Sequence, residues 1–201
     1  MSKVIMIGYG DVETGGLDPS VCEVLDFSLR LCRPTLELPE VAQYHTGVMQ
    51  VDNRANVQQS ALDVNKITPE QIEAGRDPKA VLEEFEEWLN QNIDGPFSLM
   101  GHNVQFDHGF LVSWFVRHGY KHLASRMHYR MIDAQSIAWA RLVATGAVKS
   151  AALGAVTGYF GIEHAAHTAK GDTGAGLEAV RRLIAPMEGV AETEKHAGLV
   201  T

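Results

Sequence analysis

A pair of acidic residues directly after an apolar run constrains the fold of this chain more than any other feature. Residues 4–7 are Val-Ile-Met-Ile, and residues 10–16 read Gly-Asp-Val-Glu-Thr-Gly-Gly. Side chains two positions apart on a β-strand point to the same face, so Asp11 and Glu13 stand side by side if the strand continues through Glu13. Neighbouring like charges repel, and burial strengthens the repulsion. The pattern therefore predicts positive charge between the two carboxylates, and a pair of divalent cations is one source of it.

Length and charge are those of a single globular domain. The 201 residues suit one domain with a sizeable core, and the hydrophobic fraction of 45% is ordinary. The net charge of −8 argues against a sequence-independent duplex binder, which presents a broad basic face. It does not argue against an enzyme that grips a strand end through metal ions. No apolar run approaches the roughly 20 residues that a membrane span requires, so we expect no membrane association.

Cysteine usage indicates a reducing compartment. The chain has only Cys22 and Cys32, and on one extended strand ten residues at roughly 3.3 Å each would hold them far beyond the ~7 Å limit for a disulfide. Free thiols are typical of the cytoplasm. Residues 1–3 precede an apolar run that lacks a small-residue cleavage site, which is not typical of a signal peptide. These features predict a cytoplasmic protein with both thiols free.

The apolar patterns predict strands early in the chain. Residues 21–32 alternate between apolar and polar side chains from Leu25 onward, which is typical of a half-buried strand. We expect it to form an antiparallel pair with a strand at residues 3–7. A third strand is expected within residues 33–51, and the short apolar run at 96–100 predicts a central strand.

Helical patterns dominate the rest of the chain. Thr68 and Gln71 form the pattern of a capping box, and Asp77 followed by Pro78 predicts a second helix start. Four further segments have helical spacing, at residues 106–119, 133–143, 150–161 and 172–185. Strands followed mainly by helices predict an α/β fold with a mixed central β-sheet flanked by α-helices. We expect one domain over residues 1–185 and a flexible C-terminal tail over residues 186–201.

Three separate segments carry residues suited to metal-dependent chemistry. They are residues 10–16, GHNVQFDHGF at 101–110 and HTAKGDTGAG at 167–176, and their candidate ligands and base are Asp11, Glu13, Asp107, Asp172 and His167. Carboxylates without a nearby thiolate favour hard cations such as Mg²⁺ or Mn²⁺. Two such ions about 3.5–4 Å apart assist in-line phosphoryl displacement. A histidine beside them is suited to accept a proton from the attacking water.

Each of these residues also has an ordinary structural interpretation when it is taken alone. An isolated Asp-x-Glu is more often a solvated turn than a metal site. Asp107 and Asp172 suit helix caps, and His167 suits an exposed surface position. His102 and Asn103 suit hydrogen-bonding groups that close a strand end. The presence of all three segments favours the metal interpretation over these alternatives.

The three segments resemble the exonuclease motifs of the DEDDh family, the DnaQ-like 3′–5′ exonucleases with an RNase H-like fold. The first family motif reads Asp-x-Glu, often followed by Thr-Gly-Gly, and residues 11–16 match it. The second reads His-Asn-x-x-Phe-Asp, which residues 102–107 match, and the third reads His-x-Ala-x-x-Asp, which residues 167–172 match. The resemblance extends from residue 3 to about residue 185, and all three motifs occur in the family's order.

The resemblance implies a role for each matching residue. Two Mg²⁺ or Mn²⁺ ions would be held by Asp11, Glu13, Asp107 and Asp172, with Glu13 reaching both ions, and His167 would be the general base. Substrate binding would involve Thr14 and Leu17 beside the terminal nucleotide, with His102, Asn103 and Phe106 shaping its pocket. These roles are implied by the family and do not follow from spacing alone.

The implied activity is release of mononucleotides from single-stranded 3′ ends, with DNA favoured as the substrate. Two alternatives stay open: an exoribonuclease of the same family that trims RNA 3′ ends, and a domain that binds nucleic acid or a polymerase without hydrolysis. A homodimer or a polymerase partner is compatible with either activity. Water activated by the base would attack the terminal phosphodiester while a cation stabilises the departing 3′ oxygen.

Two departures from the family pattern affect the expected geometry. Residues 8–10, Gly-Tyr-Gly, interrupt the apolar run before Asp11, and glycine weakens a strand. Thr173 stands where the family often has alanine.

The stretch 117–130 contains four basic residues and no acidic one. This composition predicts either a solvated loop or a rim that contacts phosphates.

Overall fold

A five-stranded mixed sheet organises the computed structural model, which describes residues 5–163 and 167–186. The strands are β1 (Met6–Thr14), β2 (Val24–Cys32), β3 (Glu40–His45), β4 (Phe97–Gly101) and β5 (Ile132–Asp133). Their order across the sheet is β3-β2-β1-β4-β5. β1 is antiparallel to β2 and parallel to β4, so the sheet changes its pairing mode at β1. The expected antiparallel pair and third strand are confirmed, and a strand is present at 97–101 as expected. It lies between β1 and the edge strand β5, so β1 and not β4 is the central strand.

Eight α-helices connect and cover the strands of the described residues. They are α1 (Gln59–Asn65), α2 (Pro69–Glu73), α3 (Pro78–Asn92), α4 (Val104–Arg117), α5 (Lys121–Ala124), α6 (Ala134–Ala138), α7 (Leu153–Phe160) and α8 (Ala169–Ile184). A short 3₁₀ turn at Arg54–Asn56 precedes α1, and a π-helical turn at Trp139–Val143 continues α6. No helix in this part of the chain is long and apolar enough to cross a bilayer.

The two faces of the sheet pack against different helices. The face covered by α3 and α4 carries the larger core, which includes Phe27, Phe85 and Trp114. The face covered by α8, hereafter the α8 face, carries a smaller core in which Ile7 packs with Leu177. This arrangement confirms the expected mixed sheet flanked by helices. The tail was predicted over residues 186–201, of which residues 187–201 lie outside the described residues.

β2 is buried on both of its faces, so the expectation of a half-buried strand was wrong. Leu25 and the alternate apolar residues that follow it face α3 and α4, as the pattern predicts. Asp26 and Ser28 point to the α8 face and are also buried. The reason is that α8 packs directly on this strand, where the Ser28 and Thr173 hydroxyl oxygens are 3.0 Å apart.

β1 runs without interruption through the Gly-Tyr-Gly segment, and the expected weakening there was wrong. Its pairing with β2 is continuous from Ile7, and the register shifts only between Glu13 and Thr14. The glycines are needed because side chains from β4 lie against the backbone of β1. A Cβ atom at Gly8 would lie 2.6 Å from the Phe97 ring, and one at Gly10 would lie 3.0 Å from Leu99.

The helix starts predicted from capping patterns are confirmed. The Thr68 side chain accepts a hydrogen bond from the Gln71 N–H, and the Gln71 side chain accepts one from the Thr68 N–H. Asp77 accepts hydrogen bonds from the backbone N–H groups of Lys79 and Ala80 at the start of α3. Satisfying these otherwise unpaired N–H groups fixes where the helices begin.

Candidate metal centre

The carboxyl end of β1 presents two acidic side chains to the α8 face. Asp11 and Glu13 lie on the same side of the strand as Tyr9, which packs under α8. Asp172 approaches them from the first turn of α8. One oxygen from each of Asp11, Glu13 and Asp172 lies within 4.8 Å of the other two. The fold therefore brings together carboxylates that are far apart in the sequence.

The start of α8 is fixed by local hydrogen bonds that set the position of Asp172. Thr168 is the N-cap, and its side chain accepts a hydrogen bond from the Gly171 N–H. The Asp172 Oδ2 atom accepts a hydrogen bond from the backbone N–H of His167 at 3.1 Å. Thr173 is fully buried and contacts Ser28 of β2, so its hydroxyl joins the helix to the sheet. Asp172 is thus a first-turn residue, and its interpretation as a cap was wrong.

Asp107 is held next to this group by the turn from β4 into α4. Asn103 is the N-cap of α4 in the left-handed conformation, with φ +66°, and Asp107 lies in the first turn rather than at the cap. Its Oδ1 atom accepts a hydrogen bond from the Val12 N–H at 3.1 Å. β1 pairs with β4 only from Met6 to Tyr9, so the Val12 N–H lies beyond the end of β4. Asp107 takes the place of a strand partner there.

Crowding of the carboxylates raises their pKa values. Burial and then the charges of Asp107 and Glu13 raise the pKa of Asp11 well above its usual value. Burial, followed by the charge of Asp172, raises the pKa of Glu13 to about 8. Burial also raises the pKa of Asp107 to about 8, although the hydrogen bond from Val12 opposes the shift. Such a group fits a hard divalent cation, because oxygen donors are its preferred ligands and its charge relieves the repulsion.

His167 lies at the exposed side of this group. Its backbone has a positive φ of +63°, a conformation that costs energy for a residue with a side chain. The residue is exposed to solvent while its N–H is bonded to Asp172. The backbone that carries the His167 imidazole is therefore hydrogen-bonded to Asp172, one of the clustered carboxylates.

An open groove of about 390 Å³ begins at Glu13 and continues away from the acidic group. Its walls include Leu17, Val64 and Phe106, and the Leu17 side chain is strongly exposed, at 80%. The volume falls in the range of small-molecule sites. An apolar wall beside a carboxylate group is suited to the base of a nucleotide whose phosphate lies at the carboxylates.

The other predicted substrate residues have different positions. Thr14 lines the groove, but its hydroxyl donates a hydrogen bond to the Gly16 carbonyl at 2.7 Å and so stabilises the turn after β1. The ring Nε2 of His102 lies 2.7 Å from the Ala151 carbonyl oxygen. The Asn103 N–H donates to Asp133 Oδ1 at 2.9 Å. Within the described residues, neither His102 nor Asn103 lines the groove; both hold the turn that positions Asp107.

A model of the exonuclease family (RNase_T) matches residues 10–180, which contain all three acidic motifs. This chain belongs to the exonuclease family. The resemblance to the DEDDh exonucleases that the motifs indicated is thereby confirmed at the level of the family. Among curated protein sequences, none matches the chain significantly.

Solved exonuclease structures have the same fold as this exonuclease-family chain. Escherichia coli exonuclease I in complex with a dT13 oligonucleotide is 21% identical, with a TM-score of 0.72 over 89% of this chain and 41% of that chain. The zinc-bound E. coli ExoI–ssDNA complex is 20% identical, with a TM-score of 0.72 over 89% and 40% of the two chains. An ExoI/SSB-Ct complex is 20% identical, with a TM-score of 0.70 over 90% and 43%. The present chain thus spans less than half the length of these proteins, and the likeness confirms the RNase H-like fold.

The candidate site contains two features that the sequence did not reveal. Asp26 stands opposite Glu13 in the β1–β2 register and is buried. Its carboxylate contacts the His45 ring, with Nε2 at 3.0 Å from Oδ1. Asp26 lies on the polar side of an alternating strand. The sequence could have predicted that it faces Glu13 only if the pairing register of β1 and β2 had been known. Tyr9, buried beneath the acidic group, gave no signal in the sequence.

Two of the four basic residues in the stretch 117–130 are engaged within the protein. Arg117 donates to Glu23 Oε2 at 2.5 Å and to the Cys22 carbonyl at 3.1 Å. Arg126 donates to the Ile93 carbonyl at 3.0 Å, at the end of α3. These two guanidinium groups stabilise loops through these hydrogen bonds. The phosphate-rim interpretation of this stretch therefore finds no support from either residue.

Proposed function

We propose that this chain is a metal-dependent 3′–5′ exonuclease that hydrolyses terminal phosphodiester bonds of single-stranded DNA and releases mononucleotides. The observation that carries the proposal is the approach of Asp11, Glu13 and Asp172 to within 4.8 Å. Repelling carboxylates in one partly buried group are costly without a counter-charge. A catalytic cation site explains why a stable fold would retain them.

The cations would be Mg²⁺ or Mn²⁺, two in number, held by Asp11, Glu13, Asp107 and Asp172. When bound, they would neutralise charge on the phosphate and stabilise the attacking and leaving oxygens. The geometry of Asp107 supports different partners for its two carboxylate oxygens. Oδ1 is engaged by the Val12 N–H, and Oδ2 remains for a cation.

His167 would be the general base that accepts a proton from the attacking water. Its exposure and its attachment to Asp172 support this role, because a base must reach both solvent and the scissile bond. The left-handed backbone at this residue supports it further, since strain at an isolated position is frequent at functional sites.

The groove would bind the terminal nucleoside, with its base against Leu17 and Phe106. The shared groove supports this assignment, because the exposed Leu17 side chain lines it together with Phe106 and Glu13. Thr14, His102 and Asn103 would act through the turns that they stabilise.

DNA is favoured over RNA because similar exonuclease structures are complexes with DNA oligonucleotides. One of the similar structures is an ExoI/SSB-Ct complex, and that partner is a property of ExoI. RNA trimming, binding without hydrolysis, a homodimer, a polymerase partner and a cytoplasmic location stay predictions of the sequence.

Digestion of 5′-labelled oligonucleotides tests the proposal. Single- and double-stranded DNA and RNA are incubated with Mn²⁺ or with EDTA, and we expect a ladder shortening from the 3′ end of single-stranded DNA with Mn²⁺ only. Asp172→Asn should abolish the ladder while the protein stays folded. Asp52→Asn is the matched control, since Asp52 is exposed and its carboxylate lies 3.9 Å from His118. Turnover at the wild-type rate in Asp172→Asn would refute the site, and the lack of any ladder in the wild type would favour a binding domain.

A further inference from the structure

Tyr9 places a phenol hydroxyl directly beneath the acidic group. The residue is 1% exposed, and its side chain lies on the α8 face of β1 together with Asp11 and Glu13. Its hydroxyl touches the backbone of α8 at Gly176, where an added Cβ would lie 2.1 Å from the oxygen. Gly176 follows Asp172 by one helical turn, so both residues share a face of α8. The hydroxyl therefore lies between the strand that carries Asp11 and the helix that carries Asp172.

The hydroxyl has no hydrogen-bond partner among the described residues. A buried polar group without a partner destabilises the folded state, and phenylalanine would fill the same space without this cost. By contrast, the buried hydroxyl of Tyr44 donates to the Val81 carbonyl at 3.0 Å. The packing of the core therefore does not account for the oxygen of Tyr9.

The neighbouring charges indicate what the hydroxyl faces. Apart from burial, the pKa of Tyr9 is raised by the carboxylates of Asp11, Asp107 and Asp172, with Asp11 the strongest. One ordered water is able to link a buried hydroxyl to neighbouring carboxylates when several polar groups surround it. A phenol is protonated at neutral pH and so offers a donor to these acceptors.

We propose that Tyr9 is a positioning residue of the metal centre, whose hydroxyl holds the carboxylates of Asp11 and Asp172 in the cation-binding arrangement through one buried water. The inference rests on the proposed function, because it assigns Tyr9 to the same cation site. Donors behind ligating carboxylates orient them, and loss of such a donor typically weakens metal affinity about 10- to 100-fold.

The test compares Tyr9→Phe with Tyr44→Phe in the full chain, by calorimetric titration with Mn²⁺ and by thermal unfolding in EDTA. We expect the Mn²⁺ Kd of Tyr9→Phe to rise about tenfold and its Tm in EDTA to equal or exceed that of the wild type. Tyr44→Phe should keep the wild-type Kd and lose about 2–4 °C in Tm, because it loses a satisfied hydrogen bond.

Two results would overturn the positioning role while leaving the proposed function intact. One is a Tyr9→Phe variant that binds Mn²⁺ with the same Kd as the wild type. The other is a weaker Kd together with a Tm loss in EDTA as large as that of Tyr44→Phe, which would indicate general loss of structure. A wild-type protein that binds no Mn²⁺ would overturn both the role of Tyr9 and the proposed function.

Discussion

The backbone N–H of Val12 donates a hydrogen bond to Asp107 Oδ1 at 3.1 Å, across 95 positions of the sequence. Val12 stands between the two acidic residues of β1, and Asp107 lies in the first turn of α4. The bond therefore couples the position of one predicted ligand to the backbone that carries two others. It also satisfies an N–H group that no strand reaches at this end of β4.

Substitutions at Asp107 should separate this structural bond from cation binding. Asp107→Asn keeps an acceptor for the Val12 N–H, whereas Asp107→Ala leaves that buried donor unsatisfied. We expect the alanine variant to be about 1–3 kcal/mol less stable than the asparagine variant, while both lose exonuclease activity. Denaturant unfolding in EDTA measures the difference, and equal stability of the two variants would contradict it.

The metal-free protein should lose stability as the pH rises from about 6.5 to 8.5. Glu13 and Asp107 have pKa values of about 8, above the ordinary values of 4.5 and 3.8, so the folded state binds more protons than the unfolded state in this range. The free energy of unfolding then falls with pH. The window starts at 6.5 because buried histidines with lowered pKa values act in the opposite direction below it.

Thermal unfolding in EDTA at several pH values measures this effect. Glu13→Gln should flatten the slope, and Mn²⁺ should remove it, because the cation favours the ionised carboxylates. A metal-free Tm that rises through the same window would show that these carboxylates are not the dominant titrating groups.

Leu17→Ala should weaken substrate binding without affecting the fold. Leu17 is 80% exposed, so its loss should change stability by less than about 0.5 kcal/mol. Covering half of the side chain with a base is worth about 1 kcal/mol, which predicts a KM about fivefold higher for a single-stranded oligonucleotide. Leu36, which is 59% exposed and not a groove residue, provides the matched alanine control, and equal KM values for the two variants would argue against the groove.

His167→Ala should lower the rate much more than the metal affinity. A general base contributes about 10²- to 10⁴-fold to a rate, and we expect kcat to fall within that range. The Mn²⁺ Kd should change little, because the backbone N–H that contacts Asp172 is retained. His122→Ala is the control, since that exposed ring pairs with Glu86 at 2.8 Å and lies beside Tyr120, neither of which belongs to the acidic group. A comparable loss of kcat in both variants would exclude a catalytic role for His167.

Gly176→Ala should destabilise the protein even though alanine favours helices. The added methyl group would meet the Tyr9 hydroxyl at 2.1 Å, and such overpacking typically costs about 1–3 kcal/mol. Gly158→Ala in α7 meets nothing within 4 Å and should gain up to about 1 kcal/mol from helix propensity. Chemical denaturation of both variants in EDTA checks the contrast, and a stabilised Gly176→Ala would mean that Tyr9 and α8 are not in tight contact.

Features set by nearby residues were predictable from the sequence. The capping patterns at Thr68 and Asp77 depend on neighbours within a few positions, and the structure has them as predicted. The alternation of β2 predicted a strand there correctly, but not the burial of its polar face. The clustering of Asp11, Glu13 and Asp172 was predictable only through the resemblance to a family. Spacing alone does not tell which of many carboxylates meet in space.

Features that depend on distant packing were not predictable. The glycines of β1 suggested a weak strand, because the Phe97 ring that occupies the space of the missing side chain at Gly8 comes from a strand far along the chain. The ion pair between Arg117 and Glu23 was not predictable either, because the two residues are far apart in the sequence. The burial of Tyr9 depends on a glycine of α8, which no local pattern links to it.

The alternation of side chains along β1 also limits which insertions and deletions this strand can tolerate. Adding or deleting a single residue between Tyr9 and Asp11 would turn both acids toward Phe27 and its apolar neighbours. A change of two residues would restore the side but carry the acids past the reach of Asp172. Indels in this short segment should therefore be far less tolerated than those in the turn over residues 15–23, whose length does not affect which way the acids face.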